Sequence, residues 1–231
     1  VKLLLFDLDG TILHAKHAAG CVPFDLALRD VFGVDVSIRR IRPDGKTDPL
    51  IVRELLALAG NHATPDAAAM ACFHERLGER MAGAIAAGTT TVQAVPGVRP
   101  LLERVAGDER FALAVLTGNL EAAAELKLRA AGLDAFFPVG AFGSDHAERG
   151  ALPEIARARH CAHRGVELAL ADCVIIGDTP LDHAAATCNG MESVLVASGR
   201  IPLDDLRALR PAAAFGDWSD ADAIHGALAR L

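Results

Sequence analysis

The chain has 231 residues, 52% of them hydrophobic, which suits one large domain or a core with a smaller insert. A net charge of −7 argues against a nucleic-acid binder, whose affinity comes from neutralising phosphates, but leaves room for a small anionic substrate met by local positive charge. The five cysteines, Cys21, Cys72, Cys161, Cys173 and Cys188, are odd in number, widely spaced and without a CxxC. They read as reduced thiols rather than a disulfide framework or zinc site.

The first element is a short apolar run at 2–6, the pattern of a parallel strand buried on both faces. It is too short for a signal peptide and is followed by two acids. No apolar stretch of about 20 residues suggests a membrane span. The expected setting is the cytoplasm. Directly after the run comes "DLDGT". Asp7 and Asp9, at i and i+2, can point to one side of an extended segment, with Gly10 allowing a tight turn and Thr11 supporting it.

The next hundred residues show no convincing strand and read as helices. One spans 22–33 and ends at Gly33. "TDPLIVRELLALAG" predicts a second, with Asp48 as N-cap, Pro49 at the first helical position and Gly60 past the end. A third starts from Thr64 and Pro65 and stops at Gly88. The stretch 16–88 is therefore expected to be a helical insert, with the return through 89–97. It carries a basic run, Arg39, Arg40, Arg42 and Lys46, in which "DGKT" mimics a P-loop end. Arg40 stands where that motif needs glycine, so the P-loop is rejected.

Beyond the insert, helical patterns at 98–106, 120–131, 152–162 and 181–187 alternate with apolar runs at 112–116, 173–176 and 194–197, and weaker ones at 139–142 and 212–215. Such alternation predicts an open α/β sheet, whose ligands gather beyond the carboxyl ends of the strands. "LTGN" follows the 112–116 run: Thr117 offers a hydroxyl and Gly118 a backbone N–H at an expected helix start, a place that holds anions. "SDHAERGALP" puts Arg149 just before a helix, and "IIGDTPLD" supplies Asp178 and Asp182 in a loop and first helical turn. Each has a plainer reading: Thr117 as an N-cap, Arg149 as a surface ion-pair residue, the basic run as a solvated face. His160 and His163 share a helix face where packing or surface is the preferred role. His183 reads as helix packing or a helper of the site, and Trp218 as packing near the terminus.

Together these clusters offer three or four carboxylates, a cation and a phosphate-sized nest. Carboxylates brought together repel unless a cation joins them, and Mg²⁺ takes oxygen ligands between carboxylates and substrate phosphate.

In order and content the clusters resemble the haloacid dehalogenase superfamily, in particular its phosphoglycolate phosphatase-like, Mg²⁺-dependent branch with a helical cap inserted after the first strand. The resemblance implies a three-layer Rossmann-like core with a mostly parallel sheet, at 1–15 and 89–231, and a cap at 16–88. It implies an aspartyl-phosphate on Asp7 as nucleophile, and Asp9 as general acid and then base, with a raised pKa. Mg²⁺ would be held by Asp7, the main-chain carbonyl of Asp9 and Asp178, with Asp182 one shell out. Leu8, Thr117, Gly118, Asn119 and Arg149 would hold phosphate, and Lys46 would contact substrate from the cap. The family's third motif usually carries lysine. None lies between 144 and 153 here, and Arg149, a fixed cation, stands in its place.

The expected activity is hydrolysis of a small phosphorylated metabolite, without nucleic-acid or membrane partners. Three rivals share parts of the pattern. A phosphomutase would use the same core. A metal-independent 2-haloacid dehalogenase has no need of Asp9 or Asp178. A catalytically inactive binding or scaffold protein would fit the lysine loss. A receiver domain would not need the insert. Neither the physiological substrate nor the oligomeric state is written in the sequence.

Overall fold

The computed structural model describes residues 1–15 and 21–231. The expected first residue of the insert, Lys16, lies outside the described residues. In chain order the elements are β1 (Lys2–Phe6), β2 (Leu13–Ala15), α1 (Cys21–Phe32), α2 (Asp48–Leu58), α3 (Ala67–Ala86) and β3 (Val92–Ala94). Then come α4 (Val98–Ala106), β4 (Phe111–Leu116), α5 (Glu121–Ala131), β5 (Gly140–Ala141), α6 (Leu152–Arg164) and β6 (Cys173–Gly177). The chain continues through α7 (Pro180–Cys188), β7 (Glu192–Val196), α8 (Leu203–Ala208), β8 (Ala213–Phe215) and α9 (Ala221–Leu228).

Six strands form one sheet in the order β5-β4-β1-β6-β7-β8, and every pairing is parallel. The continuous apolar runs have this cause: alternate residues of a strand face opposite sides, and both sides are covered. In β1, Leu4 and Phe6 pack with Val98, Leu101, Leu128 and Ile224 on one side. Leu3 and Leu5 pack with Leu152, Ala156, Ala185 and Ala186 on the other. The result is a helix–sheet–helix sandwich with β1 at its centre, flanked by β4 and β6.

Helices α1, α2 and α3 build their own apolar cluster, with Phe24 edge-on to Phe73 at a ring separation of 5.1 Å. This helical cap follows the first strand, as expected. It docks on the core through Leu120 and Ala123, which belong to the same cluster.

Three local expectations need correction. The stretch between the first and second apolar runs does contain strands: β2 and β3 pair antiparallel as a two-stranded ribbon. At three residues each they are too short for an alternation to show. The N-cap of α2 is Thr47, and Asp48 is its first residue, its carboxylate turned to the core instead. The N-cap of α3 is Asp66, not Thr64, and its side chain accepts from the Ala69 amide. The glycine stops hold: Gly60 and Gly88 both have positive φ, 85° and 68°. Among the described residues no helix is long and apolar enough to cross a membrane.

Candidate active site

Asp7 follows β1, Thr117 follows β4 and Asp178 follows β6, so three adjacent parallel strands deliver their polar residues to one sheet edge. The three are buried there. Asp7, Asp178 and Asp182 have carboxylate oxygens within 4.8 Å of one another. Arg149, on a 3₁₀ turn ahead of α6, reaches Asp7 Oδ1 at 2.9 Å and Asp182 Oδ1 at 2.5 Å through Nη2. Its Nε is buried without a partner among the described residues. An unpaired buried donor is costly, so this N–H is available to an acceptor that enters the site.

One guanidinium does not balance three buried acids. Burial lifts the Asp7 carboxyl to about 6; Arg149 opposes this and Asp182 adds to it. Burial, then Asp7 and Asp182, lift Asp178 to about 8, against Thr11 and Arg149. Asp182 is largely engaged already. Its Oδ1 takes Arg149, and its Oδ2 takes the amide and hydroxyl of Thr179 in a capping box at the start of α7. Asp178 is different. Thr11 donates to its Oδ1 at 2.7 Å, and Gly10 and Gly199 press so close to the carboxylate that a Cβ on either would collide with Oδ2. An all-oxygen donor set, crowded, buried and short of positive charge, fits a hard divalent cation.

Asp9 behaves otherwise, and the raised pKa expected of it is overturned. Its side chain lies outside the acidic triad, and Lys127 Nζ donates to Oδ2 at 2.5 Å while Asn119 Nδ2 donates at 2.7 Å. Burial pushes this carboxyl up, but the Lys127 charge and the two hydrogen bonds outweigh it and hold the pKa below the usual range. Lys127 also donates to Asn119 Oδ1, and Asn119 to Thr117 Oγ1, closing a network of four residues.

Lys127 was missed by sequence reasoning. The signal was there: it shares the buried face of α5 with Ala123, Ala124 and Leu128. A lysine on an apolar stripe needs a buried partner.

Other expected residues fall as follows. Gly118 lines the cavity, but the helix starts later, at Glu121, and the Gly118 carbonyl accepts from the Asp48 amide at 2.7 Å. A Cβ there would strike the Lys46 carbonyl, so the cap loop sits directly on it. Leu8 is wholly buried, its carbonyl accepting from the amides of Thr11, Ile12 and Leu13. Lys46 lines the cavity, but its Nζ is held by both Glu54 oxygens at 2.7 Å. Arg39, Arg40 and Arg42 are not among the cavity-lining residues. His183 bonds Ser193, His160 is buried and His163 exposed, so none joins the site. Trp218 does more than pack near the terminus: its indole N–H holds the Thr11 carbonyl at 2.8 Å, beneath the first acidic loop.

A cavity of about 220 Å³ runs between cap and core. Asp7, Asp9, Thr117, Asn119 and Arg149 form one end, and Phe24, Ile38, Ile51, Leu77 and Met81 of the cap region form the other.

The comparisons agree with this architecture. A predicted phosphoglycolate phosphatase from Haemophilus somnus 129PT superposes with a TM-score of 0.67 at 21% identity, over 97% of each chain. A hydrolase from Pseudomonas syringae gives 0.67 at 20%, over 95% of each. CbbY from Rhodobacter sphaeroides, in complex with phosphate, gives 0.63 at 19%, over 95% of this chain and 96% of that one. At such identities the likeness is one of fold. The comparison with curated proteins finds no match. The model of the haloacid dehalogenase-like hydrolase family matches residues 4–187, which span both the cap and all four polar clusters, and the chain belongs to that family of hydrolases.

Proposed function

We propose that the chain is a Mg²⁺-dependent phosphatase that hydrolyses a small phosphorylated metabolite through an aspartyl-phosphate on Asp7. The observation that carries this reading is the setting of Asp7: one of three clustered buried acids that share the single guanidinium of Arg149, at the core end of a small cavity.

In this mechanism the phosphate sits between Arg149, Thr117, Asn119 and the backbone amides of Leu8 and Gly118, which offset the charge of its oxygens. Asp7 attacks phosphorus and the bond to the ester oxygen breaks. Asp9 gives the departing oxygen a proton. Asp9 then takes a proton from water, which attacks phosphorus, releases inorganic phosphate and restores Asp7. Asp7, the Asp9 carbonyl and Asp178 would hold Mg²⁺, which would supply positive charge to the transferring phosphoryl oxygens. Arg149 carries the electrostatic part of the family's usual lysine, with Asp182 fixing its guanidinium. The cap closes the cavity against bulk water.

Incubation with a panel of phosphate esters, with Mg²⁺ and with chelator, tests the reading. Mg²⁺-dependent release of inorganic phosphate is expected. Isomerised sugar phosphate without net release would make it a phosphomutase, activity on 2-haloacids in chelator a dehalogenase, and silence across the panel an inactive binding protein.

A further inference from the structure

The cap end of the cavity is largely apolar, and each cation that lines the cavity faces an acid. Phe24, Ile38, Ile51, Leu77 and Met81 are each at most 8% exposed. Among the described residues, the cations that line the cavity are Lys46, Lys127, Arg149 and Arg200. Lys127 is bound to Asp9 and Arg149 to Asp7 and Asp182, at the phosphate end. Arg200 is 64% exposed and faces Asp44 at 3.6 Å. Lys46 is clasped by both oxygens of Glu54, which does not itself line the cavity. Two acids remain at the cap side, Asp44 and Asp48. Asp48 is buried, and only its Oδ2 is engaged, by the Leu120 amide at 2.9 Å.

A second anionic group buried at the cap end would therefore meet apolar walls and carboxylates, with Lys46 already held by Glu54 and Arg200 standing out at the exposed rim. An uncharged carbon body meets the surface it needs, and the cavity is below the roughly 300–1,000 Å³ typical of drug-sized ligands. We propose that this site, on the phosphatase reading above, selects phosphate esters of compact, uncharged, largely apolar alcohols, and that Glu54 is a specificity-determining residue because it occupies Lys46. Asp48 Oδ1 is placed to accept a hydrogen bond from a neutral donor on such an alcohol.

The matched probes are n-propyl phosphate and 2-phosphoglycolate, close in size and different in charge. The wild-type kcat/KM is expected to favour propyl phosphate by about ten-fold or more. In Glu54→Gln the freed Lys46 should pull that ratio toward phosphoglycolate by about five-fold or more, Glu54→Asp should restore most of it, and Lys46→Met added to Glu54→Gln should abolish the change. A wild-type preference for phosphoglycolate overturns the inference while the phosphatase reading stands. An unmoved ratio in Glu54→Gln removes Glu54 from it. If no ester of the wider panel is hydrolysed with Mg²⁺, the phosphatase reading falls and takes this inference with it.

Discussion

Lys127 and Asp9 meet as an ion pair of 2.5 Å across 118 positions of sequence, the lysine side chain 9% exposed and the carboxylate 40%. The pair holds Asp9 ionised, the form suited to drawing a proton from water. The opposite step, giving a proton to the departing oxygen, needs Asp9 protonated and so works against Lys127. Lys127→Met should therefore act unevenly on the two limbs of the pH–rate profile. We expect kcat to fall by about 10²-fold and its acidic limb to move to higher pH, with partial recovery in Lys127→Arg. A variant with kcat and profile unchanged would reduce Lys127 to a packing residue.

Asp7→Asn removes the attacking oxygen while keeping shape. Turnover should drop to background, and rapid acid quench of enzyme with labelled ester should find no label on protein. Wild type should carry it as an acid-stable, alkali-labile acyl phosphate. Label persisting in Asp7→Asn would place the nucleophile elsewhere.

Removal of metal should be visible without any substrate. At about a hundred times its Kd, Mg²⁺ adds about 2.7 kcal/mol. For a chain of this size that raises Tm by roughly 2–4 °C per kcal/mol. Asp178→Asn should abolish the rise, because the oxygen crowded between Gly10 and Gly199 is then no longer a carboxylate.

The pH dependence of stability in chelator follows from the same acids. Asp7 and Asp178 have folded pKa values of about 6 and about 8, both above the 3.8 of an ordinary aspartate. The folded state thus binds protons more tightly than the unfolded one. Their contribution is full below about pH 4 and is lost as pH rises through about 6 and then about 8. Thermal melts in chelator should show Tm declining over that range, and Mg²⁺ should flatten the decline, since metal and proton compete for the same oxygens. A Tm that rises with pH across this window contradicts the arrangement.

Gly118→Ala tests the seat of the cap. Its Cβ would collide with the Lys46 carbonyl, a backbone atom with little freedom to yield. Overpacking of this kind costs about 1–3 kcal/mol. Because it also lifts the cap loop from the phosphate end, KM should rise, measurable by steady-state kinetics beside a denaturant melt.

What the chain settles by itself is local in origin. Each acidic or hydroxylic cluster stands next to its own apolar run, so Asp7, Thr117 and Asp178 could be assigned to strand ends, and parallel strands must send those ends to one edge. Charge and cysteine spacing likewise need no coordinates. The tertiary structure decided which groups meet across long separations. Asp9 was expected to share the field of its neighbouring acids; instead α5, packed against β3 and α3 of the cap, brings Lys127 to it and reverses the sign of its shift. Asp48 looked like a helix cap until the core presented the Leu120 amide as a better donor. A carboxylate's role depends on what lies within a few ångströms, and in a folded chain that distance is fixed by packing rather than by order along the sequence.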